Sequence, residues 1–287
     1  MLSQIFVNSI VAGAVYALLA FGFTITYGTL NFFNMAHGVA FTVGAYLCYV
    51  FRILLGLDLP WATVLAVFGT SLIMVAVDLL AYDRLRARRA PSWAMVVSSI
   101  GVAIFIEAVI SLIFGSDTLS LRTGEVRPGI AVLSAIITET QIVILIVSVI
   151  LVALLTLYLK MTRMGKALRA MANDPEIGVI IGIEPRLTYM TTFALASGLA
   201  AVAGCLVAFE TDVYPTMGHS ALLKSIVASI MGGVGNVGGA VFGGLFLAAA
   251  ENFGVWKLSS SWQDGIALTL LLLFMLAQRS KSMLLGK

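Results

Sequence analysis

The sequence predicts an all-α, polytopic membrane protein: about eight transmembrane helices, a broken or re-entrant glycine-rich segment, and one short helix on the cytoplasmic surface. Three observations carry this. Of 287 residues, 60% are hydrophobic and only 11% charged, where a soluble domain carries about 25% charged residues. The mean hydropathy is +1.05. Apolar runs matching the roughly 20 residues that cross about 30 Å of hydrocarbon recur along the whole length. The 287 residues read as a single transmembrane domain.

No charged residue precedes Arg52, which leaves room for two spans, Ser3–Tyr27 and Asn34–Phe51. The N-terminus lacks a basic n-region, and its apolar run exceeds a signal h-region, so a retained span is expected. The join between the spans, TYGTLNFFNMAHG, holds Thr24, Tyr27, Asn31, Asn34 and His37. A third span covers Pro60–Leu80. The arginines 84, 86, 88 and 89 that follow mark a cytoplasmic loop by the positive-inside rule, and they suit anionic lipid. The fourth span, Trp93–Phe114, carries Glu107. Ser116–Thr140, with Asp117, Arg122, Glu125, Arg127 and Glu139, reads as an external loop. A fifth span covers Gln141–Leu159.

The next stretch, Lys160–Arg186, is a polar island, basic at its start through Lys160, Arg163, Lys166 and Arg169 and therefore cytoplasmic. It writes a short helix for a water-facing surface. Asn173 or Asp174 suits the N-cap, Pro175 the first position, and Glu176 the positive end of the dipole. Gly182 stands where a left-handed C-cap residue belongs, and Pro185 prevents continuation. Ile177, Val179, Ile180 and Ile181 offer apolar surface. About two turns of helix are not stable alone, so docking against a partner is favoured over an ordinary surface loop.

The sixth span, Leu187–Phe209, is rich in small residues (ALASGLAAVAG), which favours close helix packing. Acidic ETDVYPTMGHS is external and the basic tail QRSKSMLLGK cytoplasmic. Passing from one side to the other requires an odd number of crossings, yet hydropathy shows only two runs, Ser225–Ala250 and Trp262–Ala277. One crossing is hidden or one run is re-entrant. The series MGGVGNVGGAVFGG, with Gly232, Gly233, Gly235, Gly238 and Gly239, is the natural place for a break; plain close packing is the other reading. The same counting puts the N-terminus outside, unless Tyr27–His37 also hides a half-crossing.

Several chemistries are excluded. Gly165-Lys166 lacks the upstream glycine and following Ser/Thr of a phosphate loop, so any ATP is bound by another chain. No HExxH occurs, and His37 and His219 are far apart in sequence. Cys48 and Cys205 lie in apolar runs with no second thiol nearby, so no metal or disulfide framework is indicated. No serine has a nucleophile-elbow context. No cofactor and no nucleic-acid partner are expected. Glu107 lines a polar route or takes up a proton, or else is a structural carboxylic acid held between helices. Asn31, Asn34 and His37, at three-residue spacing, share a helix face that lines a path or glue a broken helix. Thr24, Tyr27, Asn31, Asn34, His37 and Glu107 are therefore the candidates for a translocation path.

Three blocks carry a resemblance: YGTLNFFNMAHGVAFTVGAY (Tyr27–Tyr46), GKALRAMANDPEIGVIIGI (Gly165–Ile183) and SIVASIMGGVGNVGGAVFGGLFLAAAE (Ser225–Glu251). In these blocks, their order and its length, the chain resembles the LivH-like permease subunits of bacterial branched-chain amino-acid ABC importers; urea and short-amide permeases share the blocks. The middle block lacks the glutamate before paired alanines of the looser EAA loop. The resemblance implies an inner-membrane heterodimer with a second, M-type permease subunit, two cytoplasmic ATPases and a periplasmic solute-binding protein. It implies that Gly165, Asn173, Asp174, Pro175, Glu176, Ile177, Ile180 and Gly182 belong to the helix coupled to an ATPase. An ion-coupled secondary transporter or channel using Glu107 is the alternative.

Overall fold

The structure, a computed structural model, describes residues 2–121, 129–132, 135–257 and 259–284. Arg122, Glu125 and Arg127 of the expected external loop lie outside the described residues, as do the side chains of the basic tail.

Helix α1 (Leu2–Leu30) is followed by a break and by α2 (Ala36–Tyr49), which runs on through a π-helical turn to Leu54. Helix α3 (Leu59–Val77) passes through a second π-helical turn, Asp78–Tyr82, into α4 (Asp83–Ala87). This turn shifts the helix face so that both Asp78 and Tyr82 are buried. Helix α5 is Ser92–Phe114, and α6 (Glu139–Met161) opens with a capping box between Thr138 and Gln141. Between α5 and α6, strands β1 (Ile130–Val132) and β2 (Ala135–Ile137) form an antiparallel hairpin where a plain loop was expected. Helices α7 (Arg163–Asn173) and α8 (Pro175–Ile180) lead to α9 (Pro185–Glu210), and α10 (Met217–Gly232), α11 (Val237–Val255) and α12 (Gln263–Leu284) complete the order.

Among the described residues, eight helices are long and apolar enough to cross a membrane. In hydrocarbon a helix keeps every backbone group bonded internally, which is why α1 stays helical through Gly13 and Gly22. Helices α1 and α9 form the centre. The small residues of α9 let α2 press against it, with Gly204 facing the Phe41 carbonyl and Gly44 facing Ala201. Helices α5, α6 and α12 lie outermost, with few of their apolar side chains buried.

The two ends of the bundle differ. At one end Gln4 bonds to Ile136, Leu119 pairs with Val213, and Gln141 bonds to Glu210. At the other, Gly28 lies beside Ala172 and Gly235, and Arg186 stands 3.5 Å from Asp83. The second end carries Arg84, Arg86, Arg88, Arg89 and the basic residues of Lys160–Arg186, and the first carries Asp117, Glu139, Glu210 and Asp212. They are the basic end and the acidic end below.

Four expectations change. The run Ser225–Ala250 is not one span: it is the second half of α10 and most of α11, packed together about a turn at Gly233–Asn236. At 16 residues, about 24 Å, α10 is the candidate for the hidden crossing. Gly233 and Gly235 adopt φ of +88° and +86° in the turn, while Gly232 and Gly239 touch backbone to backbone. The series thus combines a turn at Gly233 and Gly235 with a close contact between Gly232 and Gly239. Second, Asn31, Asn34 and His37 share no helix face, because α1 ends at Leu30 and Asn31 has φ +55°. Third, the Cys48 and Cys205 side chains are neighbours across the α2–α9 contact, where the Cys205 thiol donates to the Gly44 carbonyl at 3.4 Å. Lastly, the basic start of the polar island is itself a helix, α7.

Candidate functional site

At the basic end, α7 and α8 form a bracket. Thr162 caps α7, accepting from the amide of Gly165 at 2.9 Å. Gly165 is buried at the corner, its missing Cβ leaving room for the backbone of Tyr158 and Leu159. Asn173 is the exposed last residue of α7. The Asp174 Oδ1 accepts from the amides of Glu176 (2.9 Å) and Ile177 (3.1 Å), so Asp174 is the cap of α8 and Pro175 its first residue. Gly178 is buried on Met171 of α7, fixing the short helix to the longer one. Gly182, at φ +90°, ends it.

With Gly178 turned inward, the apolar residues of α8 face out. Ile177 is 56% exposed, Val179 51%, Ile180 82% and Ile181 66%. At the basic end these cannot serve as lipid contacts in the way that α5 or α12 do. Glu176 is exposed beside them.

The translocation candidates separate into distinct places. Thr24 and Ser229 of α10 share a buried hydrogen bond of 2.6 Å. His37 is buried against α1, its Nε2 3.2 Å from the Leu19 carbonyl. Asn34 caps α2 by accepting from the Ala36 amide at 3.1 Å, and lies 3.4 Å from the Tyr82 hydroxyl. Asn34 thus makes its hydrogen bonds within the break between α1 and α2 and toward Tyr82. Tyr27 packs its ring on Phe33 at 4.7 Å, and Asn31 is exposed at the end of α1.

Glu107 stands apart from these, on the far side of α2. Its Oε2 is 2.9 Å from Nε2 of His219, in the first turn of α10. The pair opens on a cleft lined by Met35, Gly38, Val39, Thr42, Ala103 and Leu222 among others. Glu107 comes seven residues before the end of α5, about 10 Å from the acidic end. At that depth ionisable groups face the bundle interior or a water-filled cavity.

The sequence reading did not single out three further groups. His219 was placed in an external stretch, yet it pairs with Glu107. Buried Lys224 lies 3.7 Å from Glu251 and 3.8 Å from Asp264, and Tyr16 bonds to Glu251 at 2.7 Å. This network ties α1, α10, α11 and α12 together. Buried Asp78 is paired with Arg86, whose guanidinium lies over the Tyr189 ring. Oppositely charged residues within apolar runs, Lys224 and Glu251, were the available signal. Among the described residues no cluster of three or more potential metal ligands occurs.

A sequence model described as branched-chain amino acid transport system/permease component matches residues 5–276. The chain is 33% identical to the high-affinity branched-chain amino acid transport system permease protein LivH of Salmonella typhimurium, over 96% of this chain and 92% of that protein. It is 33% identical to the permease protein BraD of Pseudomonas aeruginosa, over 95% of this chain and 92% of the relative. Among solved structures, PsaBC from Streptococcus pneumoniae in complex with Fab is similar at a TM-score of 0.53 and 12% identity, over 95% of this chain and 90% of that one. That likeness concerns the fold.

Proposed function

Because the chain belongs to the family of branched-chain amino acid transport system permease components, we propose that it is one membrane-spanning subunit of an ATP-driven ABC importer. The basic end is then cytoplasmic and the acidic end periplasmic, in the bacterial inner membrane. The cargo is a branched-chain amino acid, or a related small polar solute such as urea or an amide. The chain is not itself an enzyme: two cytoplasmic ABC ATPases hydrolyse the ATP. A second, M-type permease completes the channel, and a periplasmic binding protein delivers the solute.

The observation that carries this reading is the outward apolar face of α8. Ile177, Val179, Ile180 and Ile181 are exposed at the end richest in charge, on a helix too short to persist without a bracket. A capped, bracketed helix with apolar anchors fits helix-in-groove recognition. We assign the groove to an ATPase, with Gly165, Asn173, Asp174, Pro175, Glu176, Ile177, Ile180 and Gly182 building or presenting the coupling element. ATPase closure would push α8, and through α7 and the start of α9 shift the bundle between two packings.

The test is purification of the tagged chain from its native membrane in mild detergent. Recovery of two ATPases and a second permease is expected. A clean homo-oligomer without an ATPase would overturn the reading and favour ion-coupled transport.

A further inference from the structure

Helices α2 and α10 both begin within the thickness of the bundle. Their first turns meet at Gly38 and Gly218, where a Cβ on Gly38 would lie 2.5 Å from the Gly218 carbonyl oxygen. Beside this contact is the cleft faced by Glu107 and His219, open to the surroundings and, with α10 packed against α2 as here, roomy enough for about one water molecule. Two features there stand out. The His219 side chain is 63% exposed and that of Glu107 21%, so the pair is reached from outside through His219. Thr42, fully buried, directs its hydroxyl toward Gly218 and finds no hydrogen-bond partner. An orphan buried hydroxyl is destabilising unless a partner reaches it.

We propose that this cleft, widened as α10 draws away from α2, holds a zwitterionic amino acid in transit, a claim that rests on the import reading above and narrows its cargo. Glu107 receives the α-ammonium group, for which a carboxylate is the complementary partner. His219, displaced from Glu107 and already largely exposed, meets the α-carboxylate from the first turn of α10, where the helix dipole also favours negative charge. Met35, Val39, Ala103 and Leu222 form the apolar wall for an aliphatic side chain. Thr42 becomes a second polar partner when α10 draws away from α2, the motion that the Gly38–Gly218 contact permits. An acid and a base side by side complement a molecule carrying both charges on one carbon. Urea and simple amides carry neither charge and do not match the pair.

The experiment uses the complete transporter, with partner permease, ATPases and binding protein, in proteoliposomes. Initial uptake of radiolabelled leucine and valine is read with ATP hydrolysis, at saturating loaded binding protein. Glu107→Gln is expected to cut uptake at least about tenfold while assembly and ATP hydrolysis persist. Ala103→Leu, which narrows the apolar wall, is expected to slow leucine at least about fivefold more than valine. A structural role for Ala103 would lower both rates equally. Uptake within twofold of wild type for Glu107→Gln, or an unchanged leucine-to-valine ratio for Ala103→Leu, overturns the site while import stands. If Glu107→Gln fails to assemble, the Ala103→Leu ratio decides. Absence of ATP-dependent uptake by the wild-type complex would instead overturn the import reading itself.

Discussion

Gly38 of α2 and Gly218 of α10 touch backbone to backbone, each occupying the space where the other's Cβ would project. The break after α1 and the loop after α9 exist to bring these two first turns together. An added Cβ meets main chain rather than a flexible side-chain end, so the neighbour cannot yield cheaply. Overpacking of this kind costs about 1–3 kcal/mol. Gly218→Val is therefore expected to lower the thermal midpoint of the purified protein in detergent and to slow uptake. An unchanged midpoint would mean that the two helices do not meet at these residues.

The buried network of Tyr16, Lys224 and Glu251 makes a different prediction. Lys224→Met leaves the Glu251 carboxylate buried without its cation, and stranding one partner of a buried pair costs about 3–5 kcal/mol. Replacing both, Lys224→Met with Glu251→Gln, removes the stranded charge. The double variant is expected to be more stable than the single Lys224→Met variant, measured by thermal inactivation in detergent. Equal losses in the two would show that the pair is not coupled.

At α8 two substitutions separate folding from docking. Asp174→Ala removes the acceptor for the Glu176 and Ile177 amides, costing about 0.5–2 kcal/mol of local helix stability. Ile180→Asp alters only the most exposed anchor. Both are expected to reduce ATPase recovery on co-purification, Ile180→Asp with no change in thermal midpoint. The same holds for Gly182→Val, since φ of +90° disfavours a β-branched residue. Full ATPase recovery with Ile180→Asp would remove α8 from the interface.

Much of this was legible in the sequence, because the bilayer leaves the chain few choices. Seven of the eight expected runs became single helices within a few residues, and the α8 punctuation of Asp174, Pro175 and Gly182 reads directly because each acts on its own backbone. The partners of Glu107 were not legible. His219 sits 112 positions away, and nothing local announces that an external-looking histidine begins a helix at membrane depth. The even spacing of Asn31, Asn34 and His37 misled for a related reason: periodicity counts residues but does not detect a residue at φ +55°. The Cys48–Cys205 contact likewise depends on α2 and α9 crossing at Gly44 and Gly204, a long-range fact.

A crossing by α10 has a direct consequence for sidedness. Length and hydropathy find eight long spans among the described residues, an even number that would place both termini on one side. Counting α10 makes nine, and the termini then lie on opposite sides, with Gln4 at the acidic end against Ile136 and the Gly233–Asn236 turn at the basic end. Single cysteines can read this, since Cys48 and Cys205 are fully buried and are expected to stay silent to a membrane-impermeant maleimide. In intact cells with a permeabilised outer membrane, Ser3→Cys is expected to label from outside. Asn236→Cys should label only after the inner membrane is opened, as should a cysteine replacing exposed Ile180 on α8. Labelling of Asn236→Cys from outside would make the glycine turn external and reduce α10 to a re-entrant hairpin arm. Labelling of Ser3→Cys and Ile180→Cys from the same side would overturn the count of nine.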